Sequence, residues 1–266
     1  MIKKLLQHNA LLRRICIRLR NKLNIGSNTC VLENIQNSGN TVTLRGKDNT
    51  LFAAPESILR ECRVQVDGSG NQISLDADTS LYGDDGTSVY ICGNNNQIII
   101  GNHVSLRSVS FFIRGSNNRI VIGDNCSAIY AQFHIEQDGN EICIGAGTTM
   151  HGRGHQVIHM AADEGSRILI QEDCMFAHST QIRSTDSHSI VDLNGKRLNP
   201  AKDIIIGPHC WVGLQCILLK GTNVPGHCVV AAGSVCSKTY AEPNCIIAGN
   251  PAKVVKQNID WDRKFV

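Results

Sequence analysis

Apolar residues recur every six positions in the last third of the chain. The six inward candidates are Ile206, Val212, Leu218, Val224, Val230 and Cys236, and the residues four places after them are Cys210, Cys216, Thr222, Cys228, Ser234 and Tyr240. A period of six matches neither the period of a helix, about 3.6 residues, nor the alternation of a simple strand. It predicts a solenoid with triangular coils, in which each apolar residue points inward and each small residue occupies a corner.

A looser form of the same repeat precedes these hexads. A polar turn rich in asparagine leads into a short apolar strand at 70–75, 95–101, 117–123 and 139–145. The steps from Ile100 to Ile122 and on to Ile144 each equal three hexads plus a small insertion. Asparagine accepts left-handed turn conformations and can stack its side-chain amides. The pattern therefore predicts an all-β chain, with a β-helix over residues 30–250 and a C-terminal tail over residues 251–266.

Two segments interrupt the repeat. Residues 187–203 separate two runs of hexads and are predicted to form a loop, and loops on a rigid solenoid are where function collects. Residues 1–24 contain basic residues and no acid. Between the basic residues stands an apolar stripe at roughly helical spacing, namely Leu5, Leu12, Ile15, Leu19 and Leu23. We therefore expect the N-terminal segment 1–29 to contain a basic amphipathic helix. This helix is a candidate either to cap the open end of the solenoid or to contact an anionic membrane surface.

Composition narrows the class of protein. The net charge of +3 is too small to indicate a nucleic-acid partner. No apolar run resembles a secretory signal or is long enough to span a bilayer, so we expect a cytoplasmic protein with reduced thiols. Cys126 and Cys174 stand four places after Ile122 and Ile170, as the hexad cysteines do in their own units. These cysteines are predicted to be small apolar fillers of the corners.

The same residues resemble the hexapeptide-repeat acyltransferase superfamily, whose fold is a left-handed parallel β-helix. Segment 182–190, with the sequence IRSTDSHSI, looks like the catalytic segment of bacterial capsule and polysialic acid O-acetyltransferases. Segment 210–213 (CWVG) looks like their tryptophan-containing hexad, and segments 231–235 (AAGSV) and 248–253 (AGNPAK) look like their coenzyme A segment. The resemblance implies a homotrimer that transfers acetyl from acetyl-CoA, bound between neighbouring solenoids, to a sugar or polysaccharide hydroxyl.

The resemblance also implies roles for particular residues. His188 would remove the proton from the acceptor hydroxyl, and Asp186 and Asp192 are both candidates to orient its ring. Trp211 would pack beside the acetyl thioester and shape the acceptor site. The alternatives are a loop histidine bonded to backbone and a surface tryptophan, neither with a role in catalysis.

The predicted coenzyme A site consists of small and basic residues near the C-terminus. Ala232, Gly233 and Ser234 form a corner that a ligand can approach closely, and Gly213 offers the same possibility. Lys238, Lys253 and Lys256 are candidates to pair with the coenzyme A phosphates. Pro251, by resemblance, lies near the adenine.

Other classes of function fit the sequence less well. His151, His155 and His159 have the spacing of metal ligands on a helix, but Gly152 and Gly154 disfavour a helix there, so no metal is expected. The γ-class carbonic anhydrases share the fold but use two histidines five residues apart, a spacing that this chain lacks. N-acetylation of an amino sugar and a non-catalytic carbohydrate-binding solenoid stay open as alternatives. The expected location is the bacterial cytoplasm, with residues 1–24 as the candidate contact to the inner face of the membrane.

Overall fold

A computed structural model describes residues 10–34, 36–83, 88–154 and 156–264. Within these ranges, one helix, α1 (Ala10–Arg20), precedes a long series of short strands. No helix among the described residues is long and apolar enough to cross a bilayer.

The strands follow α1 in chain order. The first ten are β1 (Lys22–Asn24), β2 (Thr29–Leu32), β3 (Thr41–Arg45), β4 (Thr50–Ala53), β5 (Ile58–Arg60), β6 (Arg63–Asp67), β7 (Gln72–Leu75), β8 (Ser80–Tyr82), β9 (Ser88–Cys92) and β10 (Gln97–Ile100). The next ten are β11 (Ser105–Arg107), β12 (Ser110–Arg114), β13 (Arg119–Ile122), β14 (Ser127–Ile129), β15 (Ala131–Glu136), β16 (Glu141–Ile144), β17 (Thr149–His151), β18 (Ile158–Asp163), β19 (Arg167–Ile170) and β20 (Met175–Ala177). The remainder are β21 (Gln181–Arg183), β22 (Ile204–Ile206), β23 (Trp211–Val212), β24 (Ile217–Leu219), β25 (Asn223–Val224), β26 (Val229–Val230), β27 (Val235–Cys236), β28 (Cys245–Gly249) and β29 (Ala252–Gln257).

Each full coil contributes one strand to each of three sheets. Sheet A has the order β1-β3-β6-β9-β12-β15-β18-β21-β24-β27, sheet B has β2-β4-β7-β10-β13-β16-β19-β22-β25, and sheet C has β5-β8-β11-β14-β17-β20-β23-β26-β28-β29. Neighbouring strands pair in parallel, except for the antiparallel pair of β28 and β29. The chain is therefore a left-handed parallel β-helix of about ten coils, as the hexads predicted.

The core confirms the predicted positions of the hexad residues. All six inward candidates from Ile206 to Cys236, and all six corner candidates from Cys210 to Tyr240, are buried. Cys126 and Cys174 are buried as well, and every cysteine is a free thiol. Desolvation raises the pKa of the Cys126 thiol to about 11, which keeps it neutral inside the solenoid.

A ladder of asparagine side chains lines the corner between sheets A and B in the coils before residue 166. Its members are Asn28, Asn49, Asn71, Asn96, Asn118 and Asn140, all of them buried. Each side-chain amide donates to the Oδ1 of the preceding member at 2.9–3.1 Å. Gly46, Gly68, Gly93 and Gly115 stack beside the ladder with positive φ. The glycines of successive coils lie so close together that a Cβ on Gly93 would be 1.9 Å from the carbonyl oxygen of Gly115.

The solenoid is longer at both ends than the predicted range of residues 30–250. Strand β1 already pairs with β3 from Lys22 onward, and β29 extends to Gln257 by pairing with β28. These two strands carry no hexad pattern of their own. Pairing with the neighbouring strand satisfies the hydrogen-bonding groups of their backbone. The predicted loop 187–203 lies within residues 184–203, which connect β21 to β22.

The N-terminal helix packs through a different side from the predicted apolar stripe. Ile17 is buried and joins the core, whereas Leu12, Ile15 and Leu19 of the stripe are exposed. Asn21 fastens the end of the helix by donating to the carbonyl of Ile17 at 2.7 Å. Residues 1–9, which hold the rest of the predicted helix, lie outside the described residues.

Candidate active site

The loop 184–203 leaves the solenoid at the corner between sheets A and B. It is anchored to the same corner of the coils on either side of it. Thr185 donates to Glu164 of the preceding coil at 2.8 Å. Lys220 of the following coil forms an ion pair with Asp186 and donates to the carbonyl of Asn199 at 3.0 Å. These contacts fix the base of the loop to a rigid scaffold.

His188 lies in this loop with an exposed ring and a fixed backbone. Asn199, which is only 7% exposed, donates from Nδ2 to the carbonyl oxygen of His188 at 2.8 Å. The Oδ1 of Asn199 accepts from the backbone N–H of Ile190 at 2.7 Å, so one amide holds both sides of His188. Within the described residues, no group hydrogen-bonds to the His188 ring itself. The imidazole is therefore presented to solvent by a backbone that cannot easily move.

The two predicted orienting acids have other partners in this chain. Asp186 accepts from Lys220 and from Nδ2 of Asn199, the latter at 2.7 Å, and the hydrogen bond from Lys220 lowers the pKa of its carboxyl. Asp192 caps its own turn by accepting from the backbone N–H groups of Asn194 and Lys196, each at 2.9 Å. Neither acid is hydrogen-bonded to His188 within the chain, so the choice between them stays a prediction.

Trp211 lies on the outer face of sheet C. In β23 it pairs with Met175 of β20 and Val229 of β26, and its side chain is 38% exposed. A second tryptophan, Trp261, lies beside it at 6.1 Å between ring centroids and an interplanar angle of 45°. The two indoles form an aromatic surface that the sequence analysis did not anticipate, because Trp261 comes after the last repeat.

The small predicted residues gather at the corner between sheets C and A. Gly213 donates to the carbonyl of Val230 at 2.8 Å, and a Cβ there would lie 2.8 Å from the backbone nitrogen of Ala232. Ala232 and Gly233 are exposed in the next coil, with open space beside Gly233. Ser234 differs from them because it is buried: its hydroxyl donates to the carbonyl of Ala231 at 2.6 Å. Ser234 therefore stabilises the corner, while Ala232 and Gly233 form its outer surface.

The predicted basic residues do not lie together. Lys238 is exposed at the corner between sheets A and B, with its Nζ 5.5 Å from the centre of the Tyr240 ring. Lys253 and Lys256 are exposed on β29, at the edge of sheet C, and Pro251 is exposed in the turn before that strand. Within one chain, Lys253 and Pro251 are on the side of Trp211, whereas Lys238 is on the side of His188.

His188 and Trp211 lie on different sides of one prism. The loop of His188 rises from the corner between sheets A and B, and Trp211 lies on the outer face of sheet C. In a triangular prism, the face of one sheet points away from the corner where the other two sheets meet. Within one chain, the loop of His188 and the indole of Trp211 therefore leave the prism in different directions.

Strand β18 carries two groups with strongly shifted pKa values. His159 is half-buried and its Nδ1 has no hydrogen-bond partner in the described part of the chain. Desolvation, with smaller contributions from His134 and Arg183, lowers its pKa to about 4. Burial raises the pKa of Asp163 to about 6, against the hydrogen bond that it accepts from the backbone of Glu136. In both groups, burial disfavours the charged form.

Some residues of the candidate site could not be found by sequence reasoning. Asn199 and Lys220 are separated in sequence from His188, and neither belongs to a recognisable motif. Only their contacts in the fold identify them as the groups that fix the loop. Trp261 had one available signal, since it is one of two tryptophans in a chain with few aromatic residues.

Comparisons with known proteins identify relatives of the chain, although no family model matches it. A polysialic acid O-acetyltransferase of Neisseria meningitidis is 41% identical over 199 residues, which are 74% of this chain and 88% of that protein. The crystal structure of the polysialic acid O-acetyltransferase OatWY has a TM-score of 0.70 at 35% identity, over 76% of this chain and 92% of that one. The structure of NeuO, a polySia specific acetyltransferase, has a TM-score of 0.65 at 33% identity, over 76% and 89% of the two chains.

The solenoid and these likenesses first define the class: the chain is a hexapeptide-repeat acyltransferase with a left-handed β-helix. Within that class, the chain belongs to the family of the polysialic acid O-acetyltransferases, and it is an O-acetyltransferase. The predicted family and reaction class are thus confirmed.

Proposed function

We propose that this O-acetyltransferase transfers acetyl from acetyl-CoA to a hydroxyl of an anionic sugar polymer, with His188 as the general base. The observation that carries the proposal is the exposed His188 ring, free of partners within the described chain, on a backbone clamped by Asn199. Imidazole is the side chain most often used to move a proton to or from a reacting hydroxyl. A rigid backbone holds such a group in place without ordering a loop for each turnover.

The proposed reaction is a direct attack within a ternary complex. The acceptor oxygen forms a bond to the thioester carbonyl carbon while its proton moves to His188. The negative charge on the carbonyl oxygen is stabilised by a backbone N–H at the corner between sheets C and A. The carbon–sulfur bond then breaks, and the coenzyme A sulfur takes the proton back from His188. The products are the acetyl ester and free coenzyme A, and His188 is returned to its neutral form.

We infer that the site forms between copies of the chain, as the predicted homotrimer requires. His188 and Trp211 lie on different sides of one prism, and the small corner around Gly213 and Ala232 lies on the side of Trp211. The loop also has exposed apolar side chains, namely Ile190, Val191, Leu193 and Leu198. Such a cluster on an otherwise polar loop is typical of a surface that contacts another protein. A head-to-tail contact of this kind closes into a ring.

The acceptor class is supported by the surface that leads to His188. Arg183, the last residue of β21, donates to the hydroxyl of Ser187 at 2.9 Å, next to His188. On the outer face of sheet A, Tyr90, Phe112 and His134 stack with ring centroids 5.2 and 4.5 Å apart. Aromatic faces pack on sugar rings, and guanidinium groups bind carboxylates. An anionic polymer such as the polysialic acid in the relatives' names would fit this surface.

The first test is an assay of acetyl-CoA thiol release with polysialic acid as acceptor. We expect His188→Gln to lower kcat by about 100-fold or more, since general base catalysis contributes about 10²–10⁴-fold. His103→Gln is the matched control, because His103 is also an exposed histidine at a corner of the solenoid. Its Nδ1 lies 3.6 Å from Asp78 Oδ2, on a coil far from the loop. Equal rates for wild type and His188→Gln would remove His188 from the mechanism. An alkali-stable product would indicate an amide and contradict O-acetylation.

A mixing experiment tests the placement of the site between copies. Co-expression of His188→Gln and Trp211→Ala chains should restore about a quarter of the wild-type rate, because random mixed trimers each contain one intact site. The two variants mixed without subunit exchange serve as the control and should stay inactive. Failure of co-expressed trimers to regain activity would place both residues in a site within one chain.

A further inference from the structure

The C-terminal strap, residues 258–264, runs back over the corner between sheets B and C. It starts at the last coil, where the backbone N–H of Ile259 donates to the carbonyl of Asn244 at 3.0 Å. It ends several coils away, where Arg263 donates to the carbonyl of Cys174 at 2.9 Å and to that of Gly147 at 3.2 Å. The strap thus ties successive coils together along one edge of the prism.

Three groups that ligate metals meet under this strap. They are His209 and His227, which occupy the same corner position in successive coils, and Asp260 of the strap. Asp260 Oδ1 lies 3.5 Å from His209 Nε2 and 3.5 Å from His227 Nδ1, and all three ligand atoms lie within 4.8 Å of one another. Ligands about 2.0–2.2 Å from a tetrahedral zinc ion are about 3.4 Å apart, close to the two separations from Asp260.

The surroundings of His209 favour the same interpretation. Its Nδ1 faces Asp173 Oδ2 at 2.5 Å, and the other oxygen of Asp173 accepts from Arg263 at 2.9 Å. A histidine that ligates a metal usually donates its second ring nitrogen to a carboxylate, which fixes the tautomer and the ring orientation. With the proton on Nδ1, Nε2 carries a lone pair 3.5 Å from Asp260 Oδ1.

The carbonyl oxygen of Trp261 completes the cluster. It lies 3.0 Å from His209 Nε2, where it can serve as a fourth ligand. A proton on Nε2 would instead be donated to this carbonyl, so a metal ion and a proton compete for the same nitrogen. The Trp261 ring also stacks on the His209 ring at 4.5 Å, which further limits movement of the strap.

We propose that His209, His227 and Asp260 bind a divalent transition-metal ion of the zinc class, which fastens the C-terminal strap to the solenoid. The ion would hold Trp261 beside Trp211, at the edge of the candidate acetyl-transfer site. It would have a structural role, since none of its ligands lies in the loop of His188. No metal was expected from the sequence, because these ligands are too far apart along the chain to form a recognisable spacing.

The test uses the full chain after treatment with EDTA and dialysis. A calorimetric titration with zinc chloride should show one site per chain with a Kd of about 10 μM or lower. Cobalt(II) should produce the visible absorption bands of a tetrahedral site. Asp260→Asn and His227→Gln should each weaken zinc binding by at least about tenfold, the effect that even indirect metal contacts have. His103→Gln, a corner histidine outside the cluster, should leave binding unchanged.

Zinc should also raise the thermal midpoint of the wild type and not that of Asp260→Asn, because the ion binds the folded strap. Wild-type binding weaker than about 100 μM, or binding that persists in Asp260→Asn, would overturn the proposal. A midpoint that responds to pH and not to zinc would show that a proton, rather than a metal ion, fastens the strap.

Discussion

The coils before the loop 184–203 and the coils after it build the same prism with different corner chemistry. In the earlier coils, the corner between sheets A and B is longer and is held by the asparagine ladder and the stacked glycines. In the later coils, the buried hydroxyl residue Thr222 occupies the same corner, and it comes only three residues after β24. Buried Cys216 and Ser234 fill the corner between sheets C and A in these coils. The ladder ends where Asn140 Oδ1 accepts from the backbone N–H of Ser166, one coil before the loop leaves.

Because of this difference, the earlier coils are the stiffer region and the later coils are the more accessible one. Each ladder asparagine bonds to the coils before and after it, so the earlier coils resemble a continuous rod. The later coils have small corners that are open to a ligand or to another copy of the chain, as at Gly233. Three predictions test whether stability is concentrated in the first region and function in the second.

The largest effect is expected at the stacked glycines. Gly93→Ala should destabilise the fold by more than about 4 kcal/mol, because the new Cβ meets the backbone of Gly115 and the two coils must separate. The measurement is the urea midpoint, or the soluble yield if the chain does not fold. The matched control is Gly139→Ala, where φ is positive but no atom lies within 4 Å of the new Cβ. That control should cost about 1 kcal/mol from backbone strain alone, and equal losses would contradict the role of close stacking.

A smaller loss is expected when one rung of the asparagine ladder is removed. Asn96→Ala leaves the carbonyl of Gly115 and the backbone N–H of Asn118 without their partner, and buried unpaired groups cost about 1–3 kcal/mol each. We expect a loss of about 3 kcal/mol in the free energy of unfolding. Cys216→Ala in the later coils should cost about 1 kcal/mol, since it removes a corner filler whose thiol donates only weakly to the carbonyls of Leu214, Val230 and Ala231. The contrast between the regions fails if the two losses are equal.

The same contrast explains how much the sequence could predict. The six-residue period follows from the triangular coil itself, so the inward positions from Ile206 to Cys236 were predictable one by one. The asparagine repeats were also visible, because stacking places the same residue at the same corner in each coil. The fold was therefore predictable almost throughout, apart from the extra strands at its two ends.

The candidate site was predictable only where a motif carries it. His188, Trp211 and the small corner residues stand in segments that resemble a family, whereas Asn199, Lys220 and Trp261 act through contacts between distant parts of the chain. The buried role of Ser234 and the separate position of Lys238 depend on which way each corner faces. The six-residue period determines which residues point into the core, but it does not determine where the other side chains of a corner point.

The smallest effect is expected at β18, the strand of sheet A that pairs with β21 just before the loop. The pKa of His159 falls from 6.5 to about 4 on folding, so the unfolded chain binds more protons between these values and stability should rise with pH. The pKa of Asp163 rises from 3.8 to about 6, so the folded chain binds more protons and stability should fall with rising pH. Between about pH 4 and 6 the two effects oppose each other, and the wild type should show little dependence on pH in this window.

Each single variant should therefore reveal the other group. Asp163→Asn should make the chain less stable as the pH falls from 6.5 to 4, and His159→Gln should make it less stable as the pH rises from 4 to 6. We expect changes of about 1 kcal/mol after allowing for partial solvent screening, measured as urea midpoints in a series of buffers. Parallel slopes in the two variants would show that the groups do not titrate as their burial requires. Opposite slopes would show that His159 and Asp163 offset each other's effect on stability, at the boundary between the stiff coils and the open ones.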